Sequence, residues 1–143
     1  MDALDALLVE PSAWALVSAA VLMGLGEGLK PGPLNTLVIG RKREYGLPGE
    51  TPIDQSTGYS KGALYLNDIH EGDRVFIVDD VVSTGGTLLP ILKGIDKIGA
   101  IVADCWIVFE KGEGMNYVRS HGDWPLNSLV RIEMQGNKVV LLD

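Results

Sequence analysis

Apolar positions in this chain gather into short unbroken runs set apart by glycines, prolines and acids, and one long stretch repeats at helical spacing. Across residues 87–98, Leu88, Leu89, Ile91, Leu92, Ile95 and Ile98 line one helical face. Gly99 supplies the stop, and Pro90 falls in the first turn, where its missing N–H does least harm. Ala3, Leu4, Leu7 and Leu8 share that spacing, so residues 2–9 also read as helix, ended by Pro11. Residues 34–39, 74–78 and 100–109 are mostly apolar, without regular alternation, and predict buried strands. Residues 64–66 predict a shorter strand turning at Asn67-Asp68, and residues 14–20 fit a buried strand or the start of a helix equally well. Residues 110–114 read as a turn, and residues 129–134 and 138–142 flank Gln135-Gly136-Asn137 as a closing hairpin. Apolar strands alternating with helix predict an α/β fold, a mostly parallel central sheet flanked by helices.

Between Glu44 and Gly62 the pattern fades, and Gly46, Pro48, Gly49, Pro52 and Gly58 break the chain repeatedly. A stretch this long without periodicity, inside a compact domain, reads as a functional lid. The 143 residues suit one domain, and 46% hydrophobic with 22% charged residues is an ordinary globular balance. The net charge of −7 argues against general nucleic-acid binding, which depends on neutralising phosphates. A single cysteine, Cys105, excludes an intrachain disulfide and is expected in the core. Asp2, Asp5 and Glu10 give the first ten residues the wrong charge for a signal peptide. The uncharged run 11–26 falls short of the roughly 20 residues a spanning helix needs. A soluble cytoplasmic protein without membrane contact is the expectation.

The chemistry concentrates in Val75-Phe76-Ile77-Val78-Asp79-Asp80-Val81-Val82-Ser83-Thr84-Gly85-Gly86-Thr87. A hydrophobic strand ends in two carboxylates, and a Ser/Thr/Gly loop then opens a helix. Backbone N–H groups at a helix start, with the positive end of its dipole, suit a phosphate. Gly85 and Gly86 let the backbone close on that anion, and Ser83, Thr84 and Thr87 add hydroxyl donors. Asp79 and Asp80 suit the hydroxyls of an attached sugar, or Mg²⁺ beside it, held directly or through water. The Walker A loop does not fit, because Gly86-Thr87 lacks the required lysine. Gly24-Leu25-Gly26-Glu27-Gly28-Leu29 imitates a dinucleotide fingerprint but ends in leucine.

This segment resembles the phosphoribosyl-pyrophosphate (PRPP) signature of type I phosphoribosyltransferases. Arg41-Lys42-Arg43-Glu44-Tyr45-Gly46-Leu47-Pro48-Gly49-Glu50 and Thr57-Gly58-Tyr59-Ser60-Lys61-Gly62 are similar to the archaeal hypoxanthine-type enzymes, and the chain also resembles adenine phosphoribosyltransferases. Leu129-Val130-Arg131-Ile132-Glu133 resembles the archaeal group's C-terminal strand. The resemblance implies a Mg²⁺-dependent enzyme that transfers the 5-phosphoribosyl group of PRPP to a purine base in nucleotide salvage, working as a homodimer. Asp79, Asp80 and Lys61 would be its catalytic residues. Ser83, Thr84, Gly85, Gly86 and Thr87 would hold the 5-phosphate, while Arg41, Lys42, Arg43 and Lys61 would face pyrophosphate. Residues 1–143 would form one domain whose first 40 residues are a divergent, shortened part, with the hood over the base reduced or absent.

The pattern departs from the family at three places. Ser83 stands where hypoxanthine-guanine enzymes carry an aspartate, and serine is no general base near neutral pH. Gly58 occupies the position matched to the lid glutamate of adenine enzymes. In Ala19-Ala20-Val21-Leu22-Met23-Gly24, which resembles the family's pyrophosphate loop, Val21 replaces an acid. These departures keep open a regulatory protein that binds PRPP or a nucleotide without turnover. An orotate-type enzyme is a third reading, opposed by residues 41–49. His70 and His121 are expected in solvent, Trp106 in core or interface, and Trp124 in packing rather than stacked on a base.

Overall fold

The computed structural model describes residues 6–9, 36–40, 43–56 and 61–142. Its elements in chain order are β1 (Ala6–Val9), β2 (Thr36–Ile39), β3 (Thr51–Ser56), β4 (Lys61–Leu66), β5 (Arg74–Val82), α1 (Leu88–Ile98), β6 (Ile101–Lys111), α2 (Gly114–Arg119), β7 (Leu126–Gln135) and β8 (Lys138–Leu142). Six strands form one sheet in the order β2-β1-β5-β6-β7-β8, and β3 pairs with β4 as a separate hairpin. Within the large sheet every neighbouring pair is parallel except β7 with β8. The expected α/β class is therefore observed.

The helix α1 forms where the apolar spacing places it, and it buries Leu88, Leu89, Ile91, Leu92 and Ile95. Gly99 ends it in a left-handed conformation (φ 85°), its N–H donating to the Asp96 carbonyl at 3.0 Å while the Ala100 N–H donates to that of Ile95 at 3.1 Å. Facing these residues in one core are Val75 and Ile77 of β5 and Val102, Cys105 and Ile107 of β6. Ile53 and Leu64 join from the hairpin, and Met115 and Val118 from α2. Trp124 packs against this core, and its indole N–H donates to Asp96 of α1 at 3.0 Å. Trp106 remains partly exposed and donates to Asp104 at 2.9 Å. Both histidines are exposed, as expected.

Several expectations need correction. Residues 6–9 form a strand and not a helix, with Ala6 in register with Thr36 on one side and Val75 on the other. The run Ala6-Leu7-Leu8-Val9 is apolar throughout, and a strand between two parallel neighbours tolerates such a run where a two-faced helix would not. The stretch read as lid contains β3, whose partner β4 starts earlier than the apolar residues suggested. Pro52 fits there because a two-stranded ribbon has edges on both sides. Strand β6 continues through Glu110 and Lys111, and α2 follows where only a turn was expected. Residues 14–20, and the segment matched to the pyrophosphate loop, lie outside the described residues.

Strand β1 has β2 on one side and β5 on the other, so the strand order reverses between β1 and β5. In open α/β sheets that crevice, beyond the carboxyl ends of the strands, is where ligands bind. Among the described residues no helix is long and apolar enough to cross a membrane.

Because Leu92, on the core-facing side of α1, is fully buried, Leu92→Ala should destabilise the fold by about 2–5 kcal/mol. Urea unfolding followed by circular dichroism measures this.

Candidate active site

Strand β5 runs on through both acids, so Asp79 and Asp80 belong to its carboxyl end and do not follow it. Asp79 is buried, with 7% of its surface exposed, and accepts the backbone N–H of Asp80 at 2.9 Å. Asp80 is half-buried beside it. The chain then bends through residues 83–87 into α1, and Asp79 with residues 81–88 lines a single hollow. Ser83 and Thr84 are exposed at its rim, while Gly86 and Thr87 are half-buried. The Gly86 N–H reaches Thr84 Oγ1 at 3.3 Å, and the Leu89 N–H closes the first helical turn on the Gly85 carbonyl at 3.0 Å.

Gly85 adopts φ +76°, a conformation costly for any residue with a Cβ. It is also crowded: a Cβ there would lie 2.7 Å from Val118 Cγ2 and 2.9 Å from the Gly114 carbonyl oxygen. Glycine at this position is required by shape as well as by backbone angle. A strand-end acid pair, a left-handed glycine and a helix start thus meet around one hollow, a donor and acceptor set with the chemistry to take an anion and an attached polyol.

Residues 33–128 match the family described as phosphoribosyl transferase domain. The chain belongs to that family. Proteins named hypoxanthine/guanine phosphoribosyltransferase from Methanocaldococcus jannaschii and Ferroglobus placidus are each 51% identical to it, over 105 and 107 residues. These matches take in 73% and 75% of this chain and 57% of each relative. The chain thus spans little more than half the length of the curated relatives it matches. In structure it is similar to the adenine phosphoribosyltransferase of Rhodothermus marinus, with a TM-score of 0.69 and 20% identity over 90% of this chain and 69% of the other. It is also similar to that of Trypanosoma brucei, solved with AMP, pyrophosphate and ribose-5-phosphate, with a TM-score of 0.70 and 19% identity over 92% and 57%.

Not all the phosphoribosyltransferase residues read from sequence come together. Asp79 and Ser83, Thr84, Gly85, Gly86 and Thr87 share the hollow, with Asp80 adjacent on the strand. Arg43 is exposed and is not part of the lining. Lys61 opens β4 in register with Ser56, while Arg41 and Lys42 lie outside the described residues, as does Gly58. Glu50 is committed locally, its carboxylate accepting the backbone N–H groups of Tyr45, Gly46 and Leu47 at 3.1, 2.8 and 3.3 Å.

Sequence reasoning missed Glu110, at the carboxyl end of β6. It is only 2% exposed, and its Oε2 accepts the Ser128 hydroxyl at 2.7 Å. Its Oε1 lies 3.4 Å from Arg131 and 3.8 Å from Arg119, near enough for ion pairing but out of line for a hydrogen bond. Glu110 thereby links β6 to α2 and β7. Nothing in the local pattern around Phe109-Glu110-Lys111 signals this, because the partners come from later elements.

Cys105 is fully buried, and burial, reinforced by the carboxylates Asp79 and Asp104, pushes its thiol pKa well up. A folded thiol that keeps its proton while the unfolded one ionises makes stability fall as pH rises past the ordinary value of 9.0. Unfolding free energies measured from pH 7 to 10 should show a decline in the parent protein that is smaller in Cys105→Ala. Iodoacetamide should modify Cys105 only after denaturation.

Proposed function

We propose that this protein is a purine phosphoribosyltransferase: it displaces pyrophosphate from C1 of PRPP with a ring nitrogen of a purine, hypoxanthine or guanine before adenine. The observation that carries the reading is the cradle itself, with Asp79 and residues 83–87 around one hollow at the reversal of the strand order. The names of the relatives at about half identity support the choice of base. In this reading the loop amides and the Ser83, Thr84 and Thr87 hydroxyls hold the 5-phosphate, fixing C1 relative to the incoming base. Asp79 and Asp80 accept the ribose hydroxyls, and their charge favours the oxocarbenium-like transition state expected for glycosyl transfer.

As C1 moves between leaving and attacking atoms, its bond to pyrophosphate oxygen breaks and its bond to nitrogen forms. The base nitrogen gives up its proton to solvent water, and pyrophosphate leaves as an anion. Arg41, Lys42, Arg43 and Lys61 stabilise that leaving group in this reading, with arginine offering the better bidentate contacts. Mg²⁺ would supply further charge neutralisation on pyrophosphate. Two adjacent hard oxygen donors, Asp79 and Asp80, fit its habit of taking one or two carboxylates and completing its shell with water and substrate oxygens. The reading includes a homodimer, for which the exposed Met134 of β7 with Val139 and Leu141 of β8, on one face of the sheet, offer an apolar surface.

A second reading, a PRPP- or nucleotide-binding regulator without turnover, is favoured by Ser83 in place of the aspartate of hypoxanthine-guanine enzymes. One experiment separates them. Purified protein with Mg²⁺-PRPP and hypoxanthine, guanine, adenine, xanthine or orotate should form IMP or GMP, detected by chromatography. Binding of PRPP with no product from any base would establish the regulator instead. For the enzyme, Asp80→Asn should lower kcat/KM for PRPP about 10- to 150-fold, the range for losing hydrogen bonds to a charged group. Unchanged kinetics would remove Asp80 from the site.

A further inference from the structure

The anion loop does not shape itself. Its outer side rests on the start of α2, which lies a helix and a strand further along the chain and outside the acid-and-glycine segment. A Cβ on Gly114 would lie 2.4 Å from the Ser83 carbonyl oxygen, 2.5 Å from its carbon and 2.8 Å from the Thr84 nitrogen. All three are main-chain atoms of the loop, so no side chain can rotate away to make room. The contact is reciprocal, since the Gly114 carbonyl is among the atoms that exclude a Cβ from Gly85.

The helix cannot retreat either. Met115 and Val118 are fully buried in the core, and Arg119 is paired with buried Glu110, which also holds Ser128. The loop is therefore pressed between its own strand and a fixed helix start. We infer that Gly114 is a positioning residue for the phosphate loop, setting the path of Ser83 and Thr84 by main-chain contact. This inference rests on the reading of residues 83–87 as the 5-phosphate cradle and adds to it the residue that fixes its geometry.

Gly114→Ala isolates the effect. Alanine is the better helix former, and Gly114 has no positive φ that a side chain would strain. Any loss thus comes from pushing the loop. Ribose 5-phosphate binding by isothermal titration calorimetry, with KM values for PRPP and for base, is the measurement. Gly114→Ala should weaken ribose 5-phosphate binding and raise the KM for PRPP about 10- to 100-fold, the scale of a misplacement approaching 1 Å. The KM for base should rise less than that for PRPP, because the base makes no contact with the 5-phosphate.

The control is Gly122→Ala, where a Cβ would meet the Trp124 ring at 2.5 Å. It should lower the melting temperature yet leave ribose 5-phosphate affinity unchanged. If Gly114→Ala does not fold, Glu110→Gln loosens the anchorage of α2 without touching the loop. It should weaken ribose 5-phosphate about 2- to 30-fold, the usual span for changes along a coupled network. Parent-like phosphate affinity in a folded Gly114→Ala, or in Glu110→Gln where that is the variant used, overturns the inference while leaving the cradle in place. Failure of the parent protein to bind ribose 5-phosphate overturns both.

Discussion

The packing of one amphipathic helix decides where this site can be. Leu88, Leu92 and Ile95 of α1 are each 0–1% exposed, wedged against β5 and β6. A fully buried leucine or isoleucine contributes roughly 1.5–3 kcal/mol, so the start of α1 has little freedom to shift. Strand β5 is fixed with equal firmness between β1 and β6. The five residues that join strand to helix must therefore close a gap whose two ends are set by the core. Hydrophobic burial dictates the span, and the polar chemistry occupies what remains.

Burial also explains the uneven treatment of charge. Asp79 is tucked in at 7% exposure, and Glu110 at 2%, in a chain that already carries net negative charge. Buried carboxylates are costly unless paired. Glu110 has two arginines and a hydroxyl around it. It ties together β6, α2 and β7 at the carboxyl edge of the sheet. Asp79 accepts a backbone N–H from its neighbour and keeps an outlook on the hollow. One acid serves cohesion, and the other lines the hollow.

What could be read from the sequence follows the range of the forces involved. The helix α1, its glycine stop, strand β5 and the last hairpin were visible because local periodicity and turn residues carry their information. The acid pair and the loop were visible for a related reason, since strand, loop and helix start are contiguous. Residues 6–9 misled because a short apolar run satisfies both periods, and only pairing on two sides decides for the strand. Strand β3 was hidden because Thr51, Asp54 and Gln55 are polar, and the apolar contact of Ile53 is with the distant core. Glu110 and Gly114 read only as the two ends of a turn. Their roles are defined by Ser128, Arg131, Ser83 and Thr84, none of which is near in sequence.

The contact between Ser83 and Gly114 also bears on the order in which the molecule is built. During synthesis β5 and the loop leave the ribosome well before β6 and α2 do. Parallel strands need their crossovers before they can pair, which makes such sheets slow to assemble. Until α2 docks, the loop lacks the main-chain contact with Gly114. The loop is thus made before the helix start that backs it, so a nascent chain stalled before Gly114 holds the complete acid-and-glycine segment without that main-chain contact.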